Sequence, residues 1–131
     1  MTNQSASLSI NDMLAADDTK YDTVEVWGGT VRLGSLNAAD MVTWLDENDT
    51  KPNGNLRLFV MCIVDDAGNR QAPDDPEGRD ALIARYLGKG AQETALVVNR
   101  SLVLNGLRDK KTVQALKNVS GETLTGVSPS V

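Results

Sequence analysis

The stretch TVEVWGGTVRL, residues 23–33, predicts a β-hairpin. Strand-forming residues alternate on both sides of Gly28-Gly29, a pair able to take the positive φ angles of a type I′ turn. Closing the hairpin there gives four cross-strand pairs, which are Trp27 with Thr30, Val26 with Val31, Glu25 with Arg32, and Val24 with Leu33. The period of two then places the valines and Leu33 on one face and the charged pair on the other. Because a lone hairpin is marginally stable, the apolar face of this one, expected over about 23–34, needs a cover.

Helix-start signals stand on both sides of this hairpin. Ser9 and Asp12 form a variant of the capping box, which predicts a short helix over about 10–16. Asn37 repeats the pattern before a second predicted helix over about 38–47.

The end of this second helix is less favourable. Asp46-Glu47 places negative charge at the helix C-terminus, where the helix dipole disfavours it. The loop 48–55, which contains Pro52 and Gly54, is expected to stop the helix.

Residues 56–64 are apolar nearly all round, so periodicity cannot separate a buried helix from a buried strand. Val60, Ile63 and Val64 favour a strand, whereas the leucines and Met61 favour a helix. We choose a central buried helix over about 56–65 and leave the strand as the alternative.

Two further helices are expected in the second half. Asp75-Pro76-Glu77 is a helix start with a capping Asp and proline at the first helical position, predicting a helix over about 75–87. A last helix over about 91–105 should end at Gly106, which lets Leu107 fold back in a Schellman motif.

The predicted fold is therefore α+β: one mainly helical domain over residues 1–107, with about five helices and an N-terminal hairpin. Residues 108–131 lack a sustained apolar period and predict a disordered, flexible tail. The body carries 9 basic and 16 acidic side chains, whereas the tail carries 4 basic and 2 acidic ones. A net charge of −5 argues against general nucleic-acid binding.

Composition also restricts the chemistry. The chain of 131 residues has no histidine and one cysteine, Cys62. These counts exclude Ser-His-Asp and Cys-His nucleophiles, zinc sites built on His or several Cys, and a disulfide within one chain. Cys62 lies in the most apolar run and is expected to be a buried, inert thiol. Catalysis by Asp, Glu, Lys, Ser or Tyr stays possible, although the commonest general base is missing. Because no catalytic constellation stands out in the sequence, we expect no catalytic residues, no cofactor and no metal.

Two motifs invite a functional interpretation that we do not favour. The first is an acidic cluster, which consists of Asp74, Asp75, Glu77 and Asp80. It resembles a metal site or the carboxylate pair of a small hydrolase, but it also suits a capped helix N-terminus. Gly88-Lys89-Gly90 lacks the upstream glycine and the hydroxyl residue of a P-loop, so a hinge between two helices is the better interpretation.

The sequence shows no membrane or export signal. The longest apolar run, 58–64, is far shorter than the ~20 residues of a spanning helix. The N-terminus has no basic region followed by an apolar core. An intracellular protein without membrane contact is therefore expected.

The order of the elements resembles a known family, the tail assembly chaperones of long-tailed bacteriophages. The resemblance covers roughly residues 8–107, and its most telling pieces are Val24–Leu36, Ile63–Gly68 and Leu104–Leu107. In sequence these contain VEVWGGTVRLGSL, IVDDAG and LNGL. The extended loop 66–77 and the tail are departures from the family pattern.

The resemblance implies a non-enzymatic role in the cytoplasm of the host cell. Such chaperones coat the aggregation-prone tape measure protein during tail building, keep it soluble, help recruit tail tube subunits, and are absent from the mature virion. Many are made in two forms, the longer arising by ribosomal frameshift. The family defines no catalytic residues, so none is transferred. The alternative is a structural virion protein, either a tail tube or a head–tail connector subunit.

A chaperone for apolar helices should expose incompletely buried apolar stripes. The expected helices over 38–47, 75–87 and 91–105 each carry one. Our hypothesis is that Trp44, Leu82 and Tyr86 lie at or beside a surface groove that accepts amphipathic helices. Trp27 and Trp44 are both candidate interface anchors because tryptophan is enriched in binding hot spots.

Overall fold

The computed structural model describes residues 7–108, which contain five helices and three strands. In chain order these are α1 (Ile10–Ala15), β1 (Tyr21–Val26), β2 (Gly29–Gly34), α2 (Ala38–Thr50), α3 (Gly54–Cys62), β3 (Ile63–Val64), α4 (Pro76–Tyr86) and α5 (Ala91–Leu104). The predicted mainly helical α+β class is confirmed. The predicted disordered tail, from residue 109 onward, lies outside the described residues.

The hairpin forms as β1 and β2, but the predicted register is wrong by two residues. Val24 pairs with Val31, and Val26 with Gly29, so the turn is Trp27-Gly28. Trp27 and Gly28 supply the two positive φ angles, 55° and 77°, whereas Gly29 starts the returning strand. A shift of two preserves the faces, so Val24 and Leu33 still point to the core.

The register shift separates the predicted charge pair. Glu25 lies opposite Thr30, and Arg32 opposite Thr23. The Arg32 guanidinium instead lies over the ring of Tyr21, 4.5 Å from its centroid. The polar face of the hairpin is therefore held by a cation–π contact in place of the predicted cross-strand ion pair.

The ambiguous segment is both a helix and a strand. Helix α3 ends at Cys62, and the next two residues form β3, which pairs antiparallel with β2 to complete a sheet of order β1-β2-β3. The prediction of a helix through residue 65 is therefore wrong at its end. Arg70 holds this junction by donating hydrogen bonds to the carbonyl oxygens of Gly34 and Ser35 at 2.8 and 2.6 Å. Such bonds from a distant residue are invisible to local propensity.

Helix α3 is the centre of the core. Leu58, Phe59, Val60 and Cys62 have no exposed surface, because α2, α4, α5 and β2 all pack around this helix. A helix that is apolar all round is suited to such a central position. Within residues 7–108, no helix has the length and apolar character needed to cross a membrane.

The helix ends follow their sequence signals closely. Side chains of the N-cap residues Ser9, Asn37 and Asp75 each accept a backbone N–H three residues on. At the end of α5, the N–H of Leu107 donates to the oxygen of Leu102 at 2.8 Å, and Gly106 has φ 73°. The predicted Schellman motif is thus confirmed.

Helix α2 is longer than predicted, because it continues through Thr50 instead of ending near residue 47. The physical reason lies in Glu47, whose negative charge was expected to destabilise the C-terminus of this helix. Its carboxylate is buried and is shared between Arg57 of α3 and Arg79 of α4. Two charge-assisted contacts outweigh a weak interaction with the helix dipole.

Arg57 and Arg79 tie α4 to the rest of the core. Arg57 is 2% exposed at its side chain and contacts Glu47 at 3.3 Å and Asp80 at 2.7 Å. Arg79 adds hydrogen bonds to the carbonyl oxygens of Pro73 and Asp74. We call Glu47, Arg57, Arg79 and Asp80 the buried charge cluster, although Asp80 lies at its solvent edge. It fixes the position of the N-terminal half of α4.

Asp80, the partly exposed member of this cluster, makes the free energy of unfolding depend on pH. Hydrogen bonds from Arg57, and then from Lys51, lower the pKa of Asp80 below its ordinary value of 3.8. Asp80 therefore stabilises the folded protein above about pH 4, and this contribution is lost as the pH falls through the lower folded pKa. We expect the difference in unfolding free energy between wild type and Asp80→Asn, measured by urea titration, to shrink as the pH falls below 4. A difference that is constant with pH would contradict the ion pairing.

Candidate functional site

A groove of about 470 Å³ lies between the hairpin turn and the C-terminal half of α4. We call it the aromatic groove. Its lining residues are Trp27, Leu82, Arg85, Tyr86 and Lys89. Three of these present apolar surface and two are cations, so the groove combines an apolar centre with a basic rim.

Tyr86 connects the groove to the core. Its ring is half-buried and meets the fully buried ring of Phe59 edge-on, with centroids 5.1 Å apart. On its other side the ring lies 6.0 Å from that of Trp27. Burial raises the pKa of the Tyr86 hydroxyl, and the nearby Arg85 partly opposes that rise. The hydroxyl therefore stays protonated at physiological pH, and the ring forms an apolar wall of the groove.

Trp27 stands in an unusual backbone conformation. Its φ of 55° is left-handed, at the first central position of a type I′ turn, where Asn, Asp and Gly are preferred. Bulky residues rarely adopt this conformation, and doing so costs about 1–3 kcal/mol. This strained residue is 37% exposed, and it lines the groove. Strain of this kind, held in place by surrounding structure, is typical of functional sites.

The basic rim comes from the end of α4 and the turn after it. Lys89 Nζ lies 5.1 Å from the centroid of the Trp27 ring, a cation–π distance. Arg85 and Lys89 are both exposed, and neither forms an ion pair with another residue of the described range. Their charges are available to an acidic partner.

A second groove, of about 620 Å³, adjoins the first and shares Tyr86 and Lys89 with it. The start of α5 forms one wall, and Leu87, which is exposed, adds apolar surface. Together the two grooves form a continuous partly apolar surface along the α4–α5 connection.

The structure brings together two of the three predicted partner-binding residues. Leu82 and Tyr86 both line the aromatic groove. Trp44 lines neither groove, so the prediction that it forms part of this surface is wrong. It is buried, 5% exposed, and its Nε1 donates a hydrogen bond at 2.7 Å to the oxygen of Gly54, a residue that lines the second groove. Trp44 belongs to the contact between α2 and the start of α3.

Trp27 takes the place that Trp44 was expected to fill. Trp27 is one of the two candidate anchors in the sequence, but the turn predicted at Gly28-Gly29 placed it in a strand. A signal that would have favoured Trp27 over Trp44 is an aromatic residue directly before a glycine pair, at the tip of a hairpin. Only the register shows that the indole leaves the strand and reaches α4.

The other motifs serve structural roles. In the acidic cluster, Asp75 caps α4, and Asp80 pairs with Arg57 and Lys51. Among residues 7–108, no three His, Cys, Asp or Glu side chains are grouped so as to hold a metal ion. The glycines around Lys89 connect α4 to α5, as expected of a hinge.

Cys62 is fully buried, as expected. Burial raises its pKa to about 11, although Asn105 donates a hydrogen bond to its sulfur at 3.3 Å. A thiol with so high a pKa is protonated at neutral pH and is a poor nucleophile.

Comparison with known proteins adds no relative to this description. No family model, curated protein or solved structure matches the chain.

Proposed function

We propose that this protein is a non-enzymatic tail assembly chaperone of a long-tailed bacteriophage, which binds helical segments of the tape measure protein and keeps them soluble. The observation that carries the proposal is Trp27, held in a strained turn so that its indole stands with Leu82 and Tyr86 in the aromatic groove. The order of the elements, with its resemblance to that family, supplies the identity of the partner.

The groove has the features that an amphipathic helix requires. Aromatic rings give large contact areas with little loss of side-chain entropy, and tryptophan and tyrosine are enriched in hot spots. A helix places apolar side chains at i, i+3 and i+4, which can enter the two adjoining grooves in succession. Arg85 and Lys89 favour helices with acidic flanks.

The proposal has consequences for where and when the protein acts. It works in the cytoplasm of the host cell during tail assembly and is not retained in the mature virion. Recruitment of tail tube subunits belongs to a longer, frameshifted form. Mass spectrometry of purified virions should therefore find tape measure and tube proteins but not this chain. Finding it there in stoichiometric amounts would favour the structural virion protein instead.

The direct test is coexpression of the full chain with tape measure segments encoded by the same phage. We expect wild type to increase the soluble fraction of the segments. Trp27→Asn removes the indole but supplies an Asn-Gly turn, the preferred type I′ pair, so the hairpin is kept. We expect this variant to weaken binding by at least about tenfold, since hot-spot truncations cost 2 kcal/mol or more. Binding is measured by titration calorimetry.

The matched control is Val103→Asn, which changes an exposed apolar residue of α5 that lines neither groove. This variant should bind the segments as wild type does. Unchanged binding by Trp27→Asn, with its fold verified by circular dichroism, would remove the aromatic groove from the proposal. No effect of wild type on segment solubility would remove the chaperone function itself.

A further inference from the structure

Helix α1 carries an apolar face that no other residue of the described range 7–108 covers. Ile10, Met13 and Leu14 have the i, i+3, i+4 spacing that places side chains on one side of a helix. Ile10 is 73% exposed and Leu14 is 80% exposed, and no residue of α1 is buried. This face is separate from the aromatic groove, whose lining contains no residue of α1.

A helix of this kind needs a partner. Six residues are far fewer than the ~12–15 that an isolated helix needs for even marginal stability in water. Its capping box provides hydrogen-bond acceptors for two backbone N–H groups at the start of the helix, but a cap stabilises a helix by only about 0.5–2 kcal/mol. A short amphipathic helix gains most of its stability from packing its apolar face.

The charges around α1 complement those of the aromatic groove. Asp12, Asp17 and Asp18 give residues 7–19 three acidic side chains, and this segment has no Lys or Arg. The groove has the opposite character, because its rim consists of Arg85 and Lys89, which are unpaired within residues 7–108. An apolar face with acidic flanks thus matches an apolar centre with a basic rim.

The linker makes the chain's own groove a poor site for its own α1. Lys20 is anchored beside β2, because its N–H donates to the Ser35 hydroxyl and its oxygen accepts from the Ser35 N–H. From there β1 runs about 20 Å to the turn. The five Cα–Cα steps from Ala15, the last residue of α1, to Lys20 span at most about 18 Å when fully extended. They are not extended, since Asp17 accepts the Thr19 N–H and bends the linker.

We propose that α1 of one copy docks in the aromatic groove of a second copy, and that the exchange is reciprocal, forming a dimer with two-fold symmetry. Each copy then covers the exposed apolar face of the other. The self-contact occupies the groove to which we assign the client, so self-association and client binding compete. The dimer keeps the groove covered until a client helix displaces α1. Its test below contains no client, so it fails or succeeds independently of the proposed function.

The experiment is sedimentation equilibrium of the full chain over a wide concentration range. We expect a monomer–dimer equilibrium. Leu14→Asp and Asn11→Asp each add one negative charge to α1, the first on its apolar face and the second off it. Leu14→Asp should weaken dimerisation by at least about tenfold, whereas Asn11→Asp should leave it unchanged. Equal effects of the two variants would overturn the proposal, because charge alone would then explain them.

A mixing experiment shows whether α1 of one copy binds the aromatic groove of another copy. The Leu14→Asp chain keeps an intact groove, and the Trp27→Asn chain keeps an intact α1. Each alone should dimerise weakly, but their mixture should recover association through one intact contact. A protein that is monomeric at every concentration overturns the proposal. If Leu14→Asp also shifts the indole fluorescence of that monomer, α1 docks within its own chain instead.

Discussion

Replacing Glu47 with Ala is expected to lower the free energy of unfolding by about 3 kcal/mol, at the lower end of the range for breaking a buried ion pair. The side chain of Glu47 is 10% exposed and is the shared acceptor of two guanidinium groups, those of Arg57 and Arg79. Removing it leaves two buried guanidinium groups without the carboxylate that they share. Asp80 still neutralises Arg57 in part, which is why we expect the lower end.

The measurement is urea unfolding at neutral pH, followed by circular dichroism. Asp46→Ala is the matched control, because Asp46 is the exposed neighbour on the same helix and its side chain has no ion pair within residues 7–108. This control should change the unfolding free energy by no more than about 0.5 kcal/mol. Similar losses in the two variants would contradict the role of the two arginines, because Asp46 does not contact them.

Replacing Phe59 with Ala is expected to cost about 3–5 kcal/mol, the usual range for truncating a buried aromatic residue. Phe59 has no exposed surface and packs among the helices at the centre of the core. Its ring also supports Tyr86 edge-on at 5.1 Å. The substitution therefore creates a cavity directly behind one wall of the aromatic groove, and we expect binding of tape measure segments to fall together with stability.

A loss of about 5 kcal/mol can unfold a small domain completely. Phe59→Leu is therefore the companion variant. It keeps most of the apolar volume and should cost less, yet it still removes the edge-to-face contact with Tyr86. Val103→Ala, at an exposed site on α5, should be near neutral in the same urea titration. Leu and Ala variants that unfold like wild type would contradict a core centred on α3.

Local signals predicted the elements well because the groups they describe lie within a few residues of each other. Ser9, Asn37 and Asp75 each cap the helix that follows, and Gly106 ends α5, through hydrogen bonds spanning three to five positions. The α+β class followed from these signals together with the hairpin. The predicted helix boundaries are wrong where a residue contacts a partner far away in the chain. Glu47 contacts two arginines, and α2 continues beyond it. Ile63 and Val64 pair with β2, so they form a strand and not the end of the apolar helix.

The candidate site was predicted only in part. Leu82 and Tyr86 share a face of α4, and helical spacing alone places them together. Both tryptophans were candidate anchors, but only Trp27 lies at the surface, because burial depends on which elements cover a residue and not on its own sequence pattern. Trp44 is covered by the start of α3, and Trp27 is carried out of its strand by a register two residues from the expected one.

The sequence alone therefore predicts a small acidic domain of capped helices with one hairpin, without histidine chemistry or a disulfide within the chain. The tertiary structure decided which apolar groups remain at the surface. Trp27 meets Tyr86, 59 positions later in the chain, only because the turn and α4 are brought together on opposite sides of one groove. Contacts of such long sequence separation arise from packing the whole chain at once, and no local pattern contains them.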